Sequence, residues 1–216
     1  MPHLNPAKGL ILVAEPSVLG DVNFNRSVIL LTDENPDGFV GFILNKPLDY
    51  TVNDLIPHIE SEFTIFHGGP VEEDNIYFIH RRPDLIPDSV EIADGIYWGA
   101  NFEIVTILLN NKIIEEDEIR FFLGYSGWGY QQLHDEISLN SWVVIKNTHG
   151  SDILSKNNKT FWKEKMLEFG GEYPLWANAP ANPDYNQPNR IFTFSLVSKF
   201  FAAVVWYCFL RYNVTG

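Results

Sequence analysis

The chain has 216 residues, 45% of them hydrophobic and 14% aromatic, with 15 Lys and Arg against 28 Asp and Glu. That composition excludes a disordered chain, and the length suffices for one sizeable core. Arg190, Lys199 and Arg211 are the only charged residues from position 190 onward, so residues 1–189 hold 12 basic and 28 acidic side chains, a formal charge of −16. Such a body repels phosphate backbones, which disfavours direct nucleic-acid binding.

The single cysteine, Cys208, offers no intrachain disulfide and no metal framework, and fits a reducing compartment. The apolar run Gly9 to Ala14 is too short for a signal peptide, and Glu15 and Pro16 follow at once. A cytoplasmic location is expected.

Gly9 to Ala14 instead reads as a buried strand. Ser27 to Thr32 and Phe39 to Leu44 read as two strands joined through Asp33-Glu34-Asn35-Pro36-Asp37-Gly38, whose Asn-Pro and Asp-Gly pairs form turns. Their near-continuous apolarity predicts burial on both faces. Asn45-Lys46-Pro47 ends the second strand. Thr51 to Ile56 reads as a short capped helix stopped by Pro57. Phe63 to Phe66 is a brief strand running into His67-Gly68-Gly69-Pro70-Val71, and Asn75 to His80 is another strand. Pro83 to Gly95 reads as loop and Ile96 to Gly99 as strand. A helix is predicted from the N-cap Asn101 to Asn110-Asn111.

Phe121 to Ile137 is the stretch around which the chain is organised. It opens as an apolar strand, passes Gly124, Gly127 and Gly129 among two tyrosines and Trp128, and closes with helical spacing. Three glycines beside a tryptophan predict a tight strand-to-helix turn. Trp142 to Ile145 reads as a strand. Thr160 to Phe169 reads as a helix with Trp162, Met166 and Phe169 on one face, ended by Gly170-Gly171. Strands and helices interleave irregularly, which favours α+β with a mixed sheet in one domain, residues 1–183.

Residues 184–190 fall in a Pro- and Asn-rich linker, and 191–216 form an apolar tail. Ile191 to Leu210 has the length of a membrane span. Its eleven Ile, Leu, Val and Phe residues must offset Lys199, at about −0.3 to −0.6 kcal/mol each against roughly 2.5–3.5 for a central lysine. Three readings stay open: a span, an apolar tail docked on the body, or read-through past the natural end. Membrane association is expected only through this tail.

Four blocks in order carry a resemblance. They are Phe24-Asn25-Arg26-Ser27-Val28-Ile29-Leu30-Leu31, Gly41-Phe42-Ile43-Leu44-Asn45-Lys46-Pro47, Gly68-Gly69-Pro70-Val71, and Phe122-Leu123-Gly124-Tyr125-Ser126-Gly127-Trp128 with Gln132-Leu133, Glu136-Ile137 and Trp142. On these the chain resembles the AlgH/YqgE family over roughly residues 8–183. Gly129-Tyr130 stands where the family has Pro-Gly, and the tail from Arg190 departs from its pattern. The resemblance implies an α+β fold with a mixed, partly barrel-like sheet and flanking helices. It also implies a transcriptional-regulator label, tied in one branch to alginate production, with no catalytic residues and no cofactor to carry over.

The Gly, aromatic and amide residues suggest a binding groove formed by Asn45, Lys46, Gly68, Gly69, Tyr125, Trp128, Gln132 and Glu136, for a small ligand or a protein partner. Each has a plainer reading. Asn45 can satisfy turn backbone groups while Lys46 is solvated. Gly68-Gly69-Pro70 can be a turn rather than an anion nest, for it lacks P-loop spacing. Gln132 and Glu136 share a helix face and can simply support the turn. The alternative is a hydrolase or transferase with a site near Ser126, His67 and Glu136, although the glycine spacing around Ser126 is not that of a nucleophile elbow. The six histidines show no metal-binding spacing, and His134-Asp135-Glu136 would point in different directions on a helix. No metal is expected.

Overall fold

The computed structural model describes residues 4–156 and 159–179. Its elements run β1 (Ile11–Ala14), β2 (Val28–Asn35), β3 (Gly38–Ile43), β4 (Pro47–Thr51), α1 (Val52–Leu55), β5 (Thr64–His67), β6 (Val71–His80), β7 (Val90–Ala93), β8 (Ile96–Trp98), α2 (Phe102–Asn110), β9 (Ile119–Gly129), α3 (Tyr130–Ser138), β10 (Trp142–Ile145), α4 (Phe161–Phe169) and α5 (Tyr173–Ala177). A 3-10 segment, Pro16–Gly20, follows β1, and another, Gly150–Ser155, precedes α4.

The strands form one ten-stranded sheet in the order β10-β1-β2-β3-β9-β6-β8-β7, with β5 joined to β9 and β4 to β5. It stays open, ending at β10 and β7, and is mixed because β5 runs parallel to β9 while the other pairings are antiparallel. This is the expected α+β class with flanking helices.

Strand alternation sorts the core onto two faces. Ile11, Val13, Val28 and Leu30 point to one face, where Ile153, Leu154, Phe161, Trp162 and Met166 cover them. Leu12, Ala14, Ile29 and Leu31 point to the other, beneath Leu133 and Ile137 of α3. Farther along that second face, Ile65, Phe78 and Phe121 lie under Val52, Val105, Leu108 and Leu109 of α1 and α2. Both-face burial explains the continuous apolar runs of β2 and β3. The β2–β3 hairpin turns more tightly than expected, at Pro36-Asp37, with Asn35 paired to Gly38.

Local signals account for the helices. Thr51 and Asp54 cap α1 reciprocally, and the Asn101 side chain accepts from Glu103 N at the start of α2. Two strands were not visible in sequence: β4, mostly exposed, and β7, inside the stretch read as loop.

The central stretch differs from expectation in one respect. The glycines do not make the turn, for β9 runs unbroken through them to Gly129, which precedes α3. Gly124, at φ 68, lets the strand slip its alternation, so that Phe122 and Tyr125 both face the first core. A Cβ there would meet Gly69 O at 2.5 Å and Val71 O at 2.7 Å. The glycine serves close backbone approach between β9 and the segment entering β6.

Candidate functional site

The structure divides the eight expected groove residues into three groups. Tyr125 is buried against Tyr77 at 5.7 Å in the first core, while Trp128 is buried in the second, on the opposite face. The two aromatics therefore do not line one groove. Gly68 and Gly69 pack against the β9 backbone, where a Cβ on Gly68 would lie 2.1 Å from Gly124 O and one on Gly69 2.4 Å from Tyr125 O. The Gly68 amide is not presented to an open nest, for it donates to Leu123 O.

Trp128, Gln132 and Glu136 do come together. The Glu136 carboxylate accepts from Trp128 Nε1 at 3.0 Å, Trp142 Nε1 at 2.7 Å and Gln132 Nε2 at 2.9 Å. Gln132 Oε1 in turn accepts from Gly129 N at 3.1 Å, closing the start of α3. Phe24 stacks on Trp128 at 5.6 Å and meets Trp142 edge-on at 5.4 Å. This cluster ties α3 to the sheet and to the loop before β2.

Asn45 and Lys46 form the third group. Asn45 Oδ1 accepts from Val28 N and its Nδ2 donates to Arg26 O, both at 2.8 Å, as the plainer reading of Asn45 anticipates. Lys46 differs from that reading. Its side chain is half-buried, and Nζ donates to Asn23 O. The Asn23 carbonyl is fixed by Asp21, whose Oδ1 accepts from Asn23 N at 2.8 Å and Phe24 N at 2.9 Å. Burial pushes the Lys46 amine down to about 8, against the opposing pull of the Asp21 charge. Across the strand pair, His67 N donates to Lys46 O at 2.8 Å. Burial and then the Lys46 charge hold the His67 imidazole below its ordinary value, while Glu73 acts the other way. The result is a polar step at the end of β3 and β5, built from Asp21, Asn23, Asn45, Lys46 and His67. Asp21 and Asn23 were not anticipated as parts of it; the Asx-turn spacing Asp21-Val22-Asn23-Phe24 was the available signal.

Other candidates have internal duties. Ser126 is fully buried, and its Oγ donates to Gly68 O at 3.0 Å, so solvent does not reach the hydroxyl. His134 packs on Tyr130 at 4.9 Å, Asp135 accepts from Gln131, and Glu136 faces the indoles, so the three adjacent side chains diverge. Among the described residues no helix is long and apolar enough to cross a membrane. Cys208, the linker and the tail lie outside the described residues.

His80, at the end of β6, is completely buried beside Phe78 and Tyr97. Its Nδ1 accepts from Arg82 N at 3.1 Å, so the neutral ring carries its proton on Nε2, which has no partner among the described residues. Burial pushes it down to about 4. Between its ordinary value near 6.5 and about 4 the unfolded state binds the proton and the native state does not, so stability falls as pH falls through that window. His67 and His149, also lowered, tilt the same way. His80→Gln keeps an acceptor for Arg82 N and cannot titrate. Denaturant unfolding at a series of acidic pH values should show a flatter loss of stability in the variant; equal slopes would deny the role.

Known proteins match along most of this frame. The AlgH-like family model matches residues 11–174. A UPF0301 protein of Cytophaga hutchinsonii is 40% identical over 181 residues, covering 83% of this chain and 98% of its own. One from Bacteroides fragilis is 37% identical over 190 residues, covering 85% and 93%. Among solved structures, a Corynebacterium diphtheriae protein superposes with TM-score 0.65 at 23% identity, covering 83% of this chain and 95% of its own. The solution structure of the AlgH protein from Pseudomonas aeruginosa gives 0.62 at 20% identity, covering 83% and 98%. With a family match that spans the sheet from β1 to α5 and relatives of such identity and coverage, the chain belongs to the AlgH-like family.

Proposed function

We propose that this protein is a non-enzymatic binding or regulatory protein that recognises a small ligand through the polar step around Asn45, Lys46 and His67. The observation that carries this reading is the half-buried Lys46 amine, whose hydrogen-bond partner is a main-chain carbonyl rather than a carboxylate. Among the described residues it has no ion pair to break, and a lysine so placed holds polar capacity at a fixed point, which suits recognition of a polar group. Tyr125, Trp128, Gln132, Glu136, Gly68 and Gly69 then act as the frame behind the step. Serine chemistry at Ser126 draws no support from a fully buried hydroxyl. A regulatory role by direct DNA contact is opposed by the formal −16 of residues 1–189; regulation through a bound ligand is compatible with that charge.

The test is native mass spectrometry of the full chain beside Lys46→Met, with folding of both checked by circular dichroism. A small molecule retained by the parent and lost in the variant is the expected result. Bare masses for both, after incubation with cell-extract metabolites, would overturn the reading.

A further inference from the structure

We propose that Lys46 is a carbonyl-capture site: its half-buried amine, donating to Asn23 O, forms a reversible imine with small uncharged aldehydes. The inference deepens the reading of the Lys46 step as the ligand-binding surface and rests on it.

The geometry separates this lysine from the others. Lys165 is also buried, its side chain 4% exposed, but its ammonium is closed in by Glu168 at 2.8 Å, His149 Nε2 at 3.4 Å and the Phe161 ring. Deprotonating it would break an ion pair. Lys46 donates instead to the neutral Asn23 carbonyl. A neutral amine can keep that bond with one hydrogen and still offer its lone pair. The charged and titratable groups around it are Asp21, which favours the ammonium, and His67, itself near Glu73. Burial outweighs Asp21, so a useful fraction of the amine is free near neutral pH, where an ordinary lysine is almost wholly protonated.

The same surroundings select the electrophile. Asp21, Glu73 and the acidic body oppose anionic acyl donors, whereas an uncharged aldehyde meets no such barrier. In the reaction, the amine nitrogen adds to the carbonyl carbon and the C=O electron pair moves to oxygen. Solvent carries a proton from nitrogen to oxygen, which gives the neutral carbinolamine. The hydroxyl and the remaining nitrogen-bound proton then leave together as water while N=C forms, and no oxidant or reductant is consumed.

The test treats the full-length protein with propionaldehyde and cyanoborohydride, which fixes the imine as N-propyl-lysine, followed by peptide mapping over a pH series. Lys46 should be labelled about tenfold or more ahead of the exposed Lys112, Lys146 and Lys163. Asp21→Asn keeps the Oδ1 acceptor for Asn23 N and Phe24 N, and should move the midpoint of the Lys46 rate profile to lower pH. A purely structural Lys46 would show neither effect. Labelling of Lys46 no faster than the exposed lysines, or an unmoved midpoint in Asp21→Asn, would overturn the inference. A ligand lost in Lys46→Met together with unselective trapping would sink the imine and leave the binding step standing. Bare masses together with unselective trapping would sink both.

Discussion

Glu136→Ala is expected to cost about 3–4 kcal/mol of stability, the removal of one acceptor from three donors. Trp128 and Trp142 are 4% and 1% exposed, and both indole N–H groups end on the same carboxylate oxygen. Truncation strands two buried donors away from water, each worth roughly 1–3 kcal/mol when unsatisfied. It also frees Gln132, which caps α3 through Gly129 N. Glu136→Gln should be milder. Its Oε1 can still accept from both indoles, but its NH2 then faces the Gln132 NH2, and one of the two amides must turn. Urea unfolding should therefore rank the parent above Glu136→Gln, and that above Glu136→Ala. A double-mutant cycle with Trp142→Phe should show coupling on the order of 1 kcal/mol or more. Additive effects would mean that the carboxylate does not hold the indoles, and the frame behind the Lys46 step would need another clamp.

The same residues show how far the sequence could be read. Gln132 and Glu136 were legible as sharing one helix face, because spacing of four places them there whatever lies beyond. That the face would meet Trp142 was not legible, since the pairing depends on β10 returning beside β1. Tyr125 and Trp128 looked like neighbours on one surface. The slip of alternation at Gly124 decides which face each takes, and positive φ leaves no periodic mark in the sequence. The hairpin of β2 and β3 was legible because Asn-Pro-Asp-Gly is local chemistry. β4 and β7 were not, for edge positions buried on at most one side do not build an apolar run. Lys46 is the sharpest case. A lysine after a strand reads as solvated, and only the fold of the 21–27 loop over it makes a half-buried step.

Arg120→Ala should lower stability by about 3–5 kcal/mol, a cost comparable to breaking a buried ion pair, although no carboxylate among the described residues bonds it. Arg120 is 6% exposed at the start of β9, and burial pushes it down to about 10, with Glu116 acting the other way. Its guanidinium donates to Leu44 O at 2.8 Å and to Leu154 O, and lies 4.5 Å from the centroid of the Phe66 ring. It thus straps the end of β3 to the 3-10 segment at 150–155 across the first core. Alanine would empty the space and orphan both carbonyls. Arg120→Met keeps most of the volume against Phe66 and removes the buried charge, but still orphans the carbonyls, so it should cost roughly half as much. Arg120→Lys, a point charge without the fork, cannot reach both acceptors and should fall near Met. A Met variant as stable as the parent would show the guanidinium to be a net burden rather than a strap. The strap also bears on the proposed site. Leu44 lies two residues before Lys46, and the His67 amide bonds to Lys46 O. In Arg120→Met, hydrogen exchange at the His67 amide should quicken before global unfolding, because the end of β3 has lost its anchor. Unchanged protection there would place the rigidity of the step in the Asn45 clamp alone.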